Sequence, residues 1–529
     1  AIVNLYMFLR KEWCFLAKEK NPTFILELKL STELWQTHIL NTRFEIARKL
    51  YNTTLSYALK QLQRMKESKQ YRQNIHEYRK YKSLLMKART KKEEQLYKKE
   101  LTVRKQTLNT LRKSHQLTKF SLHGVIAKHQ RNYNTHIDSH TGQKIADAVC
   151  KSMEEALFKG NKAHFKKYGT LTSVEGKTNA SGIRFKKEAN TLYWLGLKLP
   201  VIIRENDLFS QECIANHRIK YCRIVKKVIR GKDVFYIQLV MAGIPPAKRI
   251  NTTGEFRHKI TPSGRVGIDI GTSTVAVSSK TEVFLQPLAP KIPQFDQEKR
   301  RLLRKLDRSK RSMNPYNFNE DGTIKPGVKL VWKRSKNYIK TLYQLKELYR
   351  KRSVYVKEQH SKIANHILRC GDEVYVEKMS FKGLAKRSKM TKHNKKGKLQ
   401  SKKRFGTSIG SYAPALLISI INQKLGYSNK EIYKINTYTF KASQYNHITD
   451  TYQKKKLSMR WTAIAHHRIQ RDLYSAFLIM NSNLDLKKTN RGLCKRTFDG
   501  FIKLHNKYID GLKQQTEAFP SSMGIKKAN

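Results

Sequence analysis

Three acidic residues stand where an acid is expensive. Asp269 lies inside VGIDIG between Ile268 and Ile270, and Glu377 ends the alternating run EVYVE. Asp472 opens RDLYSAFLIM, in which Leu473, Ala476, Phe477 and Met480 share one helical face. A carboxylate among apolar neighbours costs free energy unless it is hydrogen-bonded or bound to a cation. Singly, each has a plainer reading: a turn cap for Asp269, an exposed strand end for Glu377, a helix cap for Asp472. If the three converge, they are hard oxygen ligands suited to Mg2+ or Mn2+. Two such ions about 3.5–4 Å apart activate a water and stabilise the leaving oxygen of a phosphodiester.

Convergence depends on the elements that carry them. GRVGIDI, STVAVSS and TEVFLQPL read as three successive strands from about residue 262, followed by helices at about 294–310 and 334–368. EVYVEKM (373–379) is a fourth strand, APALLISIINQKLG (413–426) a helix, EIYKINTY (431–438) a fifth strand, and the Asp472 segment a last helix. That order of elements is the order of an RNase H-like domain. In such a sheet the first and fourth strands are neighbours and the last helix packs beside their ends, so the three acids can meet.

Upstream, FILELKL (24–30) has the period-two pattern of a half-buried strand, and Leu55, Leu59, Leu62 and Met65 then mark a helical stripe. Residues 77–117 contain no Gly or Pro and are dense in Lys and Arg, which predicts one or two long helices joined by a tight turn. Residues 181–245 return to strands, with RGKD as a turn between two β-rich runs. A β-barrel interrupted by a helical insertion accounts for strand, helices, then strands; the fold class expected is α+β and multidomain. Small barrels of this kind often bind nucleic-acid backbones.

Composition indicates the partner. The 529 residues hold 108 Lys and Arg against 40 acidic residues, a formal charge of +68, which a compact body tolerates poorly unless a polyanion neutralises it. The six cysteines never form CxxC, so neither a disulfide scaffold nor a zinc ribbon is implied. Cys213, His217 and Cys222 are the one close group, and they lack a fourth ligand. No span of about 20 apolar residues is present, so no membrane partner and a cytoplasmic, prokaryotic location are expected.

The chain resembles the TnpB proteins of insertion-sequence transposons and their relatives, the compact type V CRISPR effectors. GIDIG (267–271), VYVEKMSFKGL (374–384) and RIQRDLYSAFLI (468–479) match the three RuvC segments in order, with KLSMRW upstream of the third. The resemblance covers most of the chain from about residue 22. It implies a guide-RNA-binding DNA endonuclease in which base pairing reads the target and the protein reads a short flanking motif of double-stranded DNA. Asp269, Glu377 and Asp472 match the catalytic acids, which would bind two Mg2+ or Mn2+ ions.

It also implies a division of the chain. Residues 1–35 would hold the first barrel strand, 36–165 a helical recognition lobe, 166–260 the barrel (wedge) domain, and 261–440 the RuvC domain through its second segment. Residues 441–463 would be an insert that binds target nucleic acid, 464–482 the third RuvC segment and 483–529 a tail. Expected nucleic-acid contacts are Lys299, Arg300, Arg301 and Arg304, then Lys386, Arg387, Lys395, Lys396, Lys402, Lys403 and Arg404 in a basic segment over the site. Lys454, Lys455, Lys456 and Arg471 complete the set.

One departure stands out. Related chains carry two CxxC pairs near 441–463; here ASQYNH stands at the first and no cysteine follows before Cys494, so no zinc is expected. His447, His466 and His467 lack the spacing of a closed metal site. Other readings are a nuclease-inactive RNA-guided repressor, an actin-like ATPase suggested by GIDIGTSTVAV, and a strand-transferring transposase. The retained acids, the missing later phosphate loops and the RuvC-like spacing respectively speak against them. Whether the protein acts as a monomer or a dimer stays open.

Overall fold

The computed structural model describes residues 22–525 apart from 89, 159, 251, 256–262, 389, 392, 394–396, 398–404, 457 and 516–518. The expected contacts Lys395, Lys396, Lys402, Lys403 and Arg404 therefore lie outside the described residues. The chain forms two compact units, Ala1–Glu255 and Phe256–Asn529.

In the first unit β1 (Thr23–Leu30) alternates exposed and buried residues along its whole length, as the FILELKL pattern requires. Then come α1 (Leu34–Glu67), α2 (Lys69–Lys87), α3 (Lys91–Ser114), α4 (Lys119–Gln130) and α5 (Ser139–Phe158). The turn expected within 77–117 is real: α2 ends at Lys87, and Thr90 and Glu93 form a capping box that starts α3. Strands β2 (Ser173–Glu175), β3 (Arg184–Lys186), β4 (Thr191–Trp194) and β5 (Leu197–Ile202) follow, then α6 (Leu208–Asn216), β6 (Ile219–Ile229) and β7 (Lys232–Ala242). Arg230 and Gly231 join β6 to β7 with φ of +51° and +82°, so the RGKD hairpin turns through left-handed backbone.

These seven strands form one sheet in the order β2-β6-β7-β1-β5-β4-β3. The expected closed barrel is a curled half-barrel: its end strands, β2 and β3, are three residues long and no ladder joins them. Helix α1 is fastened to the sheet by buried Arg43, which donates to Trp194 O and Leu195 O at 2.7 Å each and lies 4.7 Å over the Trp194 ring.

The second unit holds a five-stranded sheet. Strands β8 (Arg265–Ile270), β9 (Thr274–Ser279) and β10 (Val283–Pro287) are an antiparallel meander; β11 (Glu373–Glu377) runs parallel to β8, and β12 (Tyr433–Ile435) parallel to β11. The sheet order is β10-β9-β8-β11-β12. Between β10 and β11 lie α7 (Ile292–Met313) and α8 (Lys336–Cys370), and α9 (Pro414–Gly426) precedes β12. The short hairpins β13 (Tyr445–Asn446)/β14 (Thr451–Tyr452) and β15 (Trp461–Ile464)/β16 (His467–Gln470) lead to α10 (Arg471–Met480) and α11 (Arg491–Lys513).

Both faces of this sheet are covered. Val266, Ile268 and Ile270 of β8 and Val374 and Val376 of β11 pack against Ile363 and Ile367 of α8 and Leu417 and Ile421 of α9. The opposite face, with Ala276, Leu285 and Tyr375, meets Leu473, Ala476 and Phe477 of α10 and Phe498 and Phe501 of α11. Residues 483–529, expected as a tail, thus supply a 23-residue helix to the core.

Alternation along β8 sends residues 267 and 269 to the α10 face. A Cβ at position 267 would overlap Ala476 O and the Met480 backbone, so α10 rests directly on the strand and only glycine fits. Gly267→Ala should therefore lower stability by about 3 kcal/mol in chemical denaturation. Gly410→Ala, where the added Cβ meets open space, should show no such loss.

Candidate metal centre

The close packing of α10 on Gly267 decides where the acids go. Tyr375 pairs with Gly267 and Val376 with Ile268, so the same parallel register carried one residue further brings Glu377 beside Asp269. Both project to the face that α10 covers, because their neighbours Ile268, Ile270 and Val376 point into the other core. Asp472 lies in the first turn of α10, the helix that crosses this face. The structure thus brings Asp269, Glu377 and Asp472 into one electrostatic group.

Negative charge dominates that group among the described residues. Burial pushes the Asp269 carboxyl well above the usual carboxylate range, and the Asp472 and Glu377 charges push it further; Arg471 opposes them. Burial raises Glu377 to about 7. The buried Ser475 hydroxyl, one turn into α10, favours charged Asp269 but makes no well-formed hydrogen bond. Arg471 donates Nε and Nη2 to Asp472 Oδ1 at 3.2 and 3.1 Å and Nη1 to Met459 O at 3.0 Å.

The donor set fits divalent cations: three carboxylates that repel one another, an under-bonded hydroxyl, and one guanidinium already shared with a backbone carbonyl. The three carboxylates do not all close to within 4.8 Å of one another.

The other expected residues divide. Arg300, Arg304, Lys386, Arg387, Lys454 and Lys456 are exposed. Lys299 pairs with Asp296 at 2.5 Å, and exposed Arg301 makes a bidentate pair with Glu298 at 2.8 and 2.7 Å. Lys455 is half-buried and donates to Thr462 Oγ1 at 2.7 Å, and Arg471 is engaged with Asp472.

The cysteine-free segment is a packed element. His447 is fully buried, bonded through Nδ1 to the Tyr474 hydroxyl at 2.8 Å and set edge-on to Phe498 at 4.7 Å. Burial lowers its pKa to about 4, so the ring is neutral. Arg491 donates Nε to His447 O at 2.9 Å and Nη2 to Ile448 O at 2.7 Å, which ties the segment to α11. Upstream, Cys222 Sγ donates to Asn179 Oδ1 at 3.1 Å and His217 Nδ1 lies 3.1 Å from Ala242 O, so that group is used locally.

Sequence reasoning missed Gly267 as the contact that seats α10, and it missed Ser475. Gly267 is visible in GIDIG, but its role depends on a helix two hundred residues away.

No protein-family profile matches the chain, and no curated protein matches it either. Among solved structures it is similar to a chain of the cryo-EM structure of the Cas12f1-sgRNA-target DNA complex, at 10% identity over 88% of this chain and 99% of that one, with a TM-score of 0.41. A chain of the cryo-EM structure of a CRISPR-Cas12f ternary complex matches at 10% identity, over 91% of this chain and 85% of that one, with a TM-score of 0.24. Likeness of this size carries no weight for function. No helix among the described residues is long and apolar enough to cross a membrane.

The carboxyl shifts give a pH prediction. A carboxylate raised on folding is destabilising wherever it must ionise in the native state: the penalty is absent below the ordinary value of 4.5 and complete above about 7. In chelator, Glu377→Gln should raise the melting temperature at pH 8 by several degrees, reflecting on the order of 3 kcal/mol. Near pH 4.5 the gain should vanish; an equal gain at both pH values would refute this electrostatic account.

Proposed function

We propose that the chain is an RNA-guided DNA endonuclease of the RuvC type, with the domain boundaries expected from the sequence except that residues 491–513 belong to the nuclease core. The observation that carries this is the meeting of Asp269, Glu377 and Asp472 on one face of a sheet ordered β10-β9-β8-β11-β12, the strand order of an RNase H-like domain. Support comes from the formal charge of +68, which suits a nucleic-acid partner far better than a small substrate.

Asp269, Glu377 and Asp472 would hold two Mg2+ or Mn2+ ions, which when bound supply an activated water and stabilise the leaving oxygen of a phosphodiester. The protein's own contribution is positional. Gly267 fixes the depth of α10 and thereby the distance of Asp472 from the strands. Arg471 holds Asp472 through its Oδ1 oxygen. Exposed Arg300, Arg304, Lys386 and Arg387 offer phosphate contacts, which fix position without reading sequence. A guide RNA and double-stranded DNA are the proposed partners, with pairing between them supplying sequence choice.

The test is purification followed by sequencing of co-purified RNA and cleavage of a DNA target matched to it. Asp269→Ala and Glu377→Ala should each reduce Mg2+-dependent cleavage at least about a hundredfold, with RNA affinity changed less than about threefold. Unimpaired cleavage by both variants would overturn the site. Guide-dependent binding of intact DNA by the wild-type protein would instead identify a repressor.

A further inference from the structure

A second cluster of ligand-type side chains lies at the other end of the β8 sheet. Among the described residues, Glu282, His366 and Cys370 form the one group of three whose ligand atoms all fall within 4.8 Å of one another. His366 and Cys370 stand one turn apart near the end of α8, and Glu282 sits in the turn between β9 and β10. His366 Nε2 is 2.7 Å from Glu282 Oε1, and Cys370 Sγ is 3.5 Å from Glu282 Oε2. The imidazole lies flat on Phe284, 4.3 Å between centroids at an interplanar angle of 5°, which fixes the direction of its nitrogens.

We propose that Glu282, His366 and Cys370 form a binding site for a single zinc ion, with the fourth position open to water. The chemistry selects the metal: thiolate, imidazole and carboxylate together suit zinc, whereas Mg2+ and Ca2+ prefer oxygen throughout. Ligand bonds of about 2.0–2.3 Å hold tetrahedral ligand atoms roughly 3.3–3.8 Å apart, so the ion would enter by replacing the 2.7 Å His366–Glu282 hydrogen bond. Binding replaces the thiol proton, which leaves to solvent, so the metal exchanges S–H for S–Zn with no redox step. Cys370 is buried, while Glu282 and His366 reach the surface and provide the entry path.

This site is separate from the acidic one. Ser279, at the start of the Glu282 turn, is near Val266, which it pairs with, whereas Asp269 pairs with Ala276; three residues of strand are about 10 Å. The expectation of a zinc-free chain rests on CxxC spacing and on residues 441–463. Neither criterion detects a helical His–Cys pair completed by a glutamate 84 residues upstream. The ion would tie the C-terminal turn of α8 to the β9–β10 hairpin, and β11, which carries Glu377, begins at Glu373 immediately after.

The test uses the full chain, stripped with chelator and titrated with Co2+. One equivalent should produce the d–d bands of tetrahedral cobalt and a near-ultraviolet sulfur-to-cobalt charge-transfer band, both erased by added zinc. Cys370→Ser should abolish the charge-transfer band and His366→Ala weaken cobalt at least tenfold, while Asp269→Ala and Cys494→Ser leave both spectra intact. Should Cys370→Ser fail to fold, Glu282→Gln on the exposed turn decides: a tenfold weaker affinity supports the site. An absent charge-transfer band in the wild-type protein, its survival in Cys370→Ser, or unchanged affinity in Glu282→Gln would overturn it.

Discussion

The second unit depends on a backbone contact in which one residue has no side chain. Helix α10 lies on β8 at Gly267 with Ala476 O and the Met480 backbone in the space a Cβ would fill. The packing buries Leu473, Ala476 and Phe477 against the sheet and draws α11 in behind them through Phe498 and Phe501. It also brings the first turn of a polar-tipped helix beside two strands that carry acids near their C-terminal ends. Sheet register and helix seating thus act on the same three side chains.

The acids oppose the fold that gathers them. Asp269 is held well above its ordinary range by burial and by its acidic neighbours, and Glu377 is raised to about 7 by burial. Arg471 offsets part of this repulsion but is shared between Asp472 and Met459 O. A buried acidic cluster that costs stability and whose mutual repulsion Arg471 offsets only in part has the electrostatics of a cation site. Hydrophobic contacts on both sheet faces hold it in place.

Much of this was legible in the sequence because it is written in periodicity. Alternation marked β1 and β11, the apolar neighbours of Asp269 marked β8, and the apolar face of RDLYSAFLIM marked α10. What escaped was set by distant partners. The expected barrel is a half-barrel that ends on the three-residue strands β2 and β3, which no local pattern announces. The expected tail became α11, whose Phe498, Phe501 and Ile502 find their partner only once α10 is seated. Arg471 reads as a nucleic-acid contact, and that its guanidinium also binds Asp472 and Met459 O follows only from the fold. In the 441–463 segment, His447 is a packed core residue whose buried neutral ring bonds to Tyr474.

The central claim is that the three acids form a site for divalent cations. Anomalous diffraction from crystals of the chain soaked in Mn2+ addresses it directly. The account predicts manganese peaks bounded by Asp269, Glu377 and Asp472, absent in Asp269→Ala crystals grown the same way. Well-ordered carboxylates with no manganese between them at millimolar concentration would contradict it.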